Sequence, residues 1–303
     1  MNTLLRLDDP LYQFLEDHQH ALRSNNLTQD LFDDFREAVW SYYRAYKRAF
    51  PWRETVDPYH IIVSEIMLQQ TQTQRVVEKY HQFLSVFPTV ESLARASMPD
   101  VLAQWVGLGY NRRALALHGI AQKIVTEHGG VLPADPAILQ TWKGLGPATA
   151  SSIVTFAYNT KTTFIETNVR AVFLHAFFAH AESAVDDKSL IPLVALTADN
   201  ENPREWYYAL MDCGVILKKL YPNPSRKSKH HARQSRFEGS DRQIRGAIIR
   251  FVLAEKCFSK EQLQETFGEP ERAQKIIDQL IKEGFLVFLD DCYFLFDAEQ
   301  KQA

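Results

Sequence analysis

Apolar residues recur at three- and four-residue spacing through most of residues 30 to 215, as in "PYHIIVSEIMLQQTQTQRVVEKYHQFLSVF", and no stretch there sustains strand alternation. The pattern predicts an all-α body of many short helices. Thr89, with an acid two residues later, marks one helix start. Pro99 stands near the first turn of another in "SMPDVLAQW", and "GGVLPADPAIL" reads as a loop leading into a third. No repeat suggests a solenoid. The pattern changes after Gly214, where a proline-bearing basic run closes the helical region and residues 237 to 297 begin a separate unit. In that unit a helix starts at Ser259 with Gln262 three positions on, a capping-box spacing, and another starts at Pro270. "FLVFL" and "CYFLF" flank Asp290-Asp291, which predicts a two-residue hairpin turn.

Composition narrows the class. The 303 residues are 46% hydrophobic and 12% aromatic, as in a packed globular protein of one large or two unequal domains. No apolar run approaches the length of a membrane span, and the N-terminal residues lack the basic start and apolar core of a signal peptide, so the expectation is a cytoplasmic protein. Cys213, Cys257 and Cys292 are spaced for neither a disulfide framework nor a Cys-x-x-Cys metal site, and they read as small buried hydrophobes.

The net charge of −3 conceals an uneven distribution. Residues 1 to 35 are acidic, an N-terminal helical extension, whereas "KKLYPNPSRKSKHHARQSR", 218 to 236, carries seven Lys or Arg and no acid. The basic run is either a solvated linker or a strap along a phosphate backbone. Its adjacent His230 and His231 have no other nearby ligands and imply no metal.

Two stretches could carry chemistry. In "GLGPATASSI", Gly144 and Gly146 pin a turn, Pro147 suits the first helical position, and the N–H groups of the new helix could cradle a phosphate without reading sequence. In "IIVSEIMLQQTQTQ", Glu65 lies within an apolar helical run, where desolvation is expected to raise its pKa toward that of a proton donor. Gln69, Gln70 and Thr71 then follow where a core helix would carry leucine. Either feature taken alone also has a purely structural reading.

Taken together, "PWRETVDPYHIIVSEIMLQQTQTQRV", "FPTVESLARA", "VLAQWVGLGYNRRALALHGIAQKI", "GLGPATASSI" and "NVRAV" stand in the order and at the spacing of the helix-hairpin-helix DNA glycosylases. The chain resembles the MutY-type adenine glycosylases within that family over roughly three-fifths of its length. Residues 237 to 297 resemble a winged-helix module. The resemblance implies a glycosylase fold of two helical subdomains over residues 36 to 235. It implies that Glu65 protonates the departing base, that Gln69 and Gln70 probe the gap in the duplex, and that Tyr110 is the wedge beside the opposite base. Trp52 and Arg53 would border the base pocket. Gly144, Leu145, Gly146 and Ala148 would form the phosphate-binding hairpin, where the family often holds a monovalent cation. Lys227, Lys229 and Arg233 of the basic run would add DNA contacts. With four or five such contacts log affinity would fall with log salt at a slope of about −4.

Three departures from the family stand out. Its catalytic aspartate is replaced by Glu166, in "ETNV", with Asn168 retained; the charge that would stabilise a sugar cation is kept, one methylene further out. A glutamate there could also be only a helix-capping acid in a retired site. Ala148 stands where an amine would be needed for a Schiff base, so a monofunctional hydrolase is expected, without lyase activity. The four cysteines that hold the family's iron–sulfur cluster are missing after "MDCGVILKK", so no cluster is expected. The expectation is therefore a monomeric, nucleoid-associated base excision enzyme acting on double-stranded DNA with a mismatched or damaged base, adenine first. Uracil or thymine opposite guanine is one alternative, and a lesion-binding protein without catalysis is another.

Overall fold

The structure, a computed structural model, describes residues 9–230, 236–259, 262, 266 and 269–296. It divides into two compact units. One comprises Met1–Ile61, Ala134–Thr141 and Leu145–Arg233; the other comprises Ile62–Pro133, Trp142–Gly144 and Gln234–Ala303.

The first unit contains helices α1 (Tyr12–Asp17), α2 (Gln19–Ser24) and α3 (Gln29–Tyr46), with Thr28 capping α3 by accepting from the Leu31 N–H. After a single 3-10 turn at Pro51–Arg53, helix α4 (Pro58–Leu68) begins here and runs on into the second unit. The second unit continues with α5 (Thr73–Val86), α6 (Val90–Arg95), α7 (Met98–Trp105) and α8 (Arg112–His128). The helix starts read from sequence are present: Thr89 and Ser92 form a capping box, and Ser97 caps the helix that carries Pro99. The chain returns to the first unit through α9 (Pro136–Leu139), capped by Asp135, then α10 (Pro147–Tyr158), α11 (Thr167–Phe177), α12 (Asp187–Thr197) and α13 (Pro203–Leu220).

In the first unit, aromatic side chains of α3 and α11 close the core. Phe35 packs 5.4 Å from Phe173 and 5.1 Å from Phe177, with Trp206 of α13 edge-on at 6.3 Å. Leu11, Phe14 and Leu31 are buried in the same cluster, so these residues of the N-terminal stretch contribute to this core.

The C-terminal segment consists of α14 (Asp241–Glu255), β1 (Cys257–Ser259), α15 (Pro270–Lys282), β2 (Leu286–Leu289) and β3 (Cys292–Leu295). The sheet is antiparallel in the order β1-β3-β2, with Phe258 opposite Tyr293. Asp290 and Asp291 have φ of 47° and 62°, the paired positive values of a type I′ hairpin turn. Ser259 and Gln262 cap each other reciprocally at 2.9 and 3.3 Å. Most of the helix expected after Ser259 lies outside the described residues. Strand β1 went unforeseen, because three residues are too short a run to show alternation.

Candidate nucleic-acid site

Each unit holds a constellation of its own. In the second unit Glu65 sits on α4, half-buried between the buried Ser64 and Ile66. Gln69 and Gln70 follow just past the end of the helix. Gln69 donates from Nε2 to the Gly144 carbonyl at 3.3 Å, and Gln70 is exposed with φ 55°. The wedge candidate Tyr110 also has positive φ, 47°. Two non-glycine residues in the left-handed region within one site are costly, and such strain concentrates at functional sites.

Arg113 holds these loops in place. Its guanidinium is buried and donates to the carbonyls of Ile66, Met67 and Gln69 at 3.0, 2.8 and 2.6 Å. It also donates to Thr71 Oγ1 at 3.0 Å and to the carbonyls of Leu108 and Gly109 at 3.1 and 3.0 Å. Burial pulls its pKa down to about 10, so it remains charged at neutral pH. One cation thus ties the glutamine loop to the tyrosine loop. Sequence reading passed over it. The only signal was an arginine in the first turn of a helix whose neighbours are apolar.

The hairpin leading to α10 is anchored from behind. Trp142 packs on His128 at 5.4 Å between ring centroids. Gly144 has φ 97°, and a Cβ there would stand 2.5 Å from the Ala116 Cβ, so only glycine fits. Beyond it, Leu145 is buried and serves as an anchor, while Gly146, Pro147 and Ala148 are exposed. Gly146 is the N-cap of α10 and no side chain caps the helix, which leaves its N-terminal end open to an anion.

In the first unit, Glu166 is the N-cap of α11. Its Oε1 accepts from the N–H groups of Asn168 and Val169, both at 2.7 Å, and its Oε2 accepts from Asn168 Nδ2 at 3.1 Å. The extra methylene lets the side chain fold back over its own helix start. Asn168 Oδ1 in turn accepts from Lys218 Nζ of α13 at 2.8 Å. Lys218 is half-buried, and burial lowers its pKa, against a raising effect from Glu166. Gly214, one turn earlier on α13, lets the two helices touch: a Cβ there would lie 2.4 Å from the Asn168 carbonyl oxygen. The Ser225 hydroxyl donates to the Thr167 carbonyl at 3.0 Å and steadies the same turn.

Three residues expected near DNA are occupied by structure. Arg53 donates to Asp212 at 2.9 Å from both Nη1 and Nη2, beside Arg48 at 2.6 Å, and Asp212 is fully buried. Trp52 is buried and stacks on Phe50 at 5.1 Å. The "PWR" turn is thereby bolted to α13. Lys227 donates from Nζ to the carbonyls of Phe178 and Ala179, at the C-terminal end of α11, where a cation meets the negative pole of the helix. The basic run is a folded element from Asn223 to His230. It includes a 3-10 turn at Pro224–Lys227 and pairs with Val185 through the Lys227 carbonyl and the Lys229 N–H at 2.8 and 3.0 Å. The side chain of Lys229 is exposed, and Arg233 lies outside the described residues.

The iron–sulfur cluster of the family does not fit this chain. A cluster needs four thiolates, whereas Cys213 is buried within α13 with its thiol pKa pushed well up by burial, and Cys257 and Cys292 belong to the C-terminal sheet.

Comparison with known proteins places these features in a family. Residues 63–191 match the model of the HhH-GPD superfamily base excision DNA repair protein. The adenine DNA glycosylase of Mycobacterium tuberculosis (strain CDC 1551 / Oshkosh) is 34% identical over 233 residues, covering 71% of this chain and 77% of its own length. That of Mycolicibacterium smegmatis is 30% identical over 278 residues, covering 86% and 94%. A thermostable thymine-DNA glycosylase has the same fold over 61% of this chain and 86% of its own, with a TM-score of 0.54 at 23% identity. On the family model and these relatives, the chain belongs to the HhH-GPD superfamily of base excision DNA repair proteins.

Proposed function

We propose that this protein is a monofunctional DNA glycosylase that hydrolyses the N-glycosidic bond of an adenine extruded from a mismatch. The base must leave the stack to be reached, at a cost of a few kcal/mol that a mispair reduces. As the bond from C1′ to the base breaks, its electron pair departs with the base, and the Glu65 carboxyl supplies the proton that neutralises it. The Glu166 carboxylate stabilises the cation left on the sugar, and water adds at C1′, giving up one proton to solvent, to leave an abasic site.

The observation that supports this reading most is the fixing of Glu166 by two backbone N–H groups and the Asn168 amide, because an anion held in place needs no reorganisation as charge develops. Ala148 offers no amine for a Schiff base, so strand cleavage is not expected. Adenine is favoured by the relatives, which are named adenine DNA glycosylases.

A second reading has one observation in its favour. The same bonds from Glu166 satisfy the N-terminus of α11, so a lesion-binding protein without catalysis would conserve the geometry. Single-turnover base release, read by alkaline cleavage across duplexes carrying A, U or T opposite G or oxidised guanine, separates the cases. The glycosylase reading expects release of adenine that Glu65→Gln and Glu166→Ala each abolish. No release from any duplex, with tight mismatch binding unchanged by Glu65→Gln, would leave only the binding protein.

A further inference from the structure

The cysteines of the chain stand far apart in sequence, yet the fold brings two of them together. Cys213 is buried within α13, whereas Cys257 and Cys292 are each half-exposed, not the buried thiols that their spacing suggested. Cys257 opens β1 and Cys292 opens β3. The register sets Cys257 opposite Phe294 and Ser259 opposite Cys292. Positions two apart in a strand point the same way, so both cysteines share one face of the sheet. Burial agrees, since Phe258 and Tyr293 at the alternate positions are buried on the other face.

Cys257 and Cys292 are therefore diagonal neighbours on the outer face of an antiparallel pair. Such neighbours lie about 7–8 Å apart, with their Cβ atoms somewhat closer, at the edge of what a disulfide spans. Here the two thiols share a hydrogen bond, so the side chains are turned toward each other across that diagonal. A bridge between them would cross from an edge strand to the central strand of the sheet. It would fasten an element with little else to hold it, because β1 is three residues long and pairs on one side only. Partial burial, the neighbouring thiol and the carboxylates of Asp291 and Asp290 hold the Cys292 thiol above its usual range. Cys292 is thus the slower to attack an oxidant, and Cys257 attacks first.

We propose that Cys257 and Cys292 form a redox modification site, at which a small-molecule disulfide oxidises the pair to an intramolecular disulfide that fastens β1 to β3. The Cys257 sulfur attacks the oxidant, forming a mixed disulfide and expelling one small thiol. The Cys292 sulfur then attacks the Cys257 sulfur, closing the bridge and expelling the second. Two electrons pass from the protein to the oxidant, whose S–S bond breaks, and the two thiol protons leave with its halves. The inference goes beyond the glycosylase reading and does not depend on it.

The test treats the reduced full chain with 2-hydroxyethyl disulfide, a neutral oxidant that the exposed Asp290 and Asp291 do not repel. The denatured chain under the same treatment shows that the oxidant is active. The folded protein is expected to become lighter by two hydrogen atoms, to keep one free thiol at Cys213, and to yield a peptide joining Cys257 to Cys292. Neither Cys257→Ser nor Cys292→Ser should lose two hydrogens. Amides of β1 and β3 should exchange with solvent about tenfold or more slowly in the oxidised protein, and treated Cys257→Ser should show no such slowing. Mixed disulfides accumulating separately on the two cysteines would overturn the inference, because the thiols would then be too far apart to join. So would a bridge to Cys213 or between two chains, no reaction of the folded protein, or a bridge that leaves amide exchange unchanged.

Discussion

The sharpest prediction concerns a glycine that touches no ligand. Gly214 lies where α13 crosses the start of α11, and a Cβ built there would meet the Asn168 carbonyl oxygen at 2.4 Å, its Cβ at 2.6 Å and its carbonyl carbon at 2.7 Å. Two of those three atoms are backbone, so no rotamer change can relieve the clash. To restore ordinary contact α11 must move by about 1 Å or tilt, and overpacking of that kind costs about 1–3 kcal/mol. The displaced residue is the partner of Glu166, so the carboxylate moves with it. A misplacement of about 1 Å can reduce a rate roughly a hundredfold. Gly214→Ala should therefore lower the melting temperature and slow single-turnover base release by one to two orders of magnitude, with little change in affinity for an abasic-analogue duplex. Gly119→Ala is the matched control: it also sits inside a helix, with nothing within 4 Å of the added atom, and should be neutral or stabilising by up to about 1 kcal/mol. Should Gly214→Ala match the unmodified protein in both melting and base release, the close crossing does not position Glu166.

Lys218→Met should slow base release about tenfold or more by removing a charge-assisted bond to Asn168, while affinity for an abasic-analogue duplex is kept. Because burial lowers the Lys218 pKa, the unmodified enzyme should also lose rate at alkaline pH earlier than an ordinary lysine would dictate, a limb that Lys218→Arg removes. Arg113→Met should cost at least about 3 kcal/mol in denaturant unfolding, since the carbonyls it joins lose a common donor. The bond from Arg112, opposed by burial and aided by Arg245, holds Glu283 at about 2, below the unfolded value of 4.5. Its stabilisation is therefore present above pH 4.5 and is lost as pH falls toward 2; Glu283→Gln should flatten that part of a melting-temperature profile.

Much of the local structure was legible in the sequence because its causes act within four residues. Thr89, Ser97 and Asp135 cap helices as their residue types suggest, and Asp290-Asp291 forms the tight turn that two flanking apolar runs require. The glutamine loop, the glycine hairpin and the acid of "ETNV" were likewise visible, since each is a short contiguous motif.

What only the tertiary structure decided is where long cationic side chains end up. Lys227, Arg53, Arg113 and Lys218 all read as charges, and charge alone predicts exposure or a phosphate. Their partners lie far off in the chain: Ala179 for Lys227, Asp212 for Arg53, Ile66 to Thr71 for Arg113, and Asn168 for Lys218. Periodicity carries no record of contacts at that separation. The same holds for the C-terminal segment, whose pattern foretold a hairpin and helices but not that Arg242 would meet Tyr110. Composition and spacing determine which elements can form; the packing of those elements determines which charges are consumed in holding them and which face the nucleic acid.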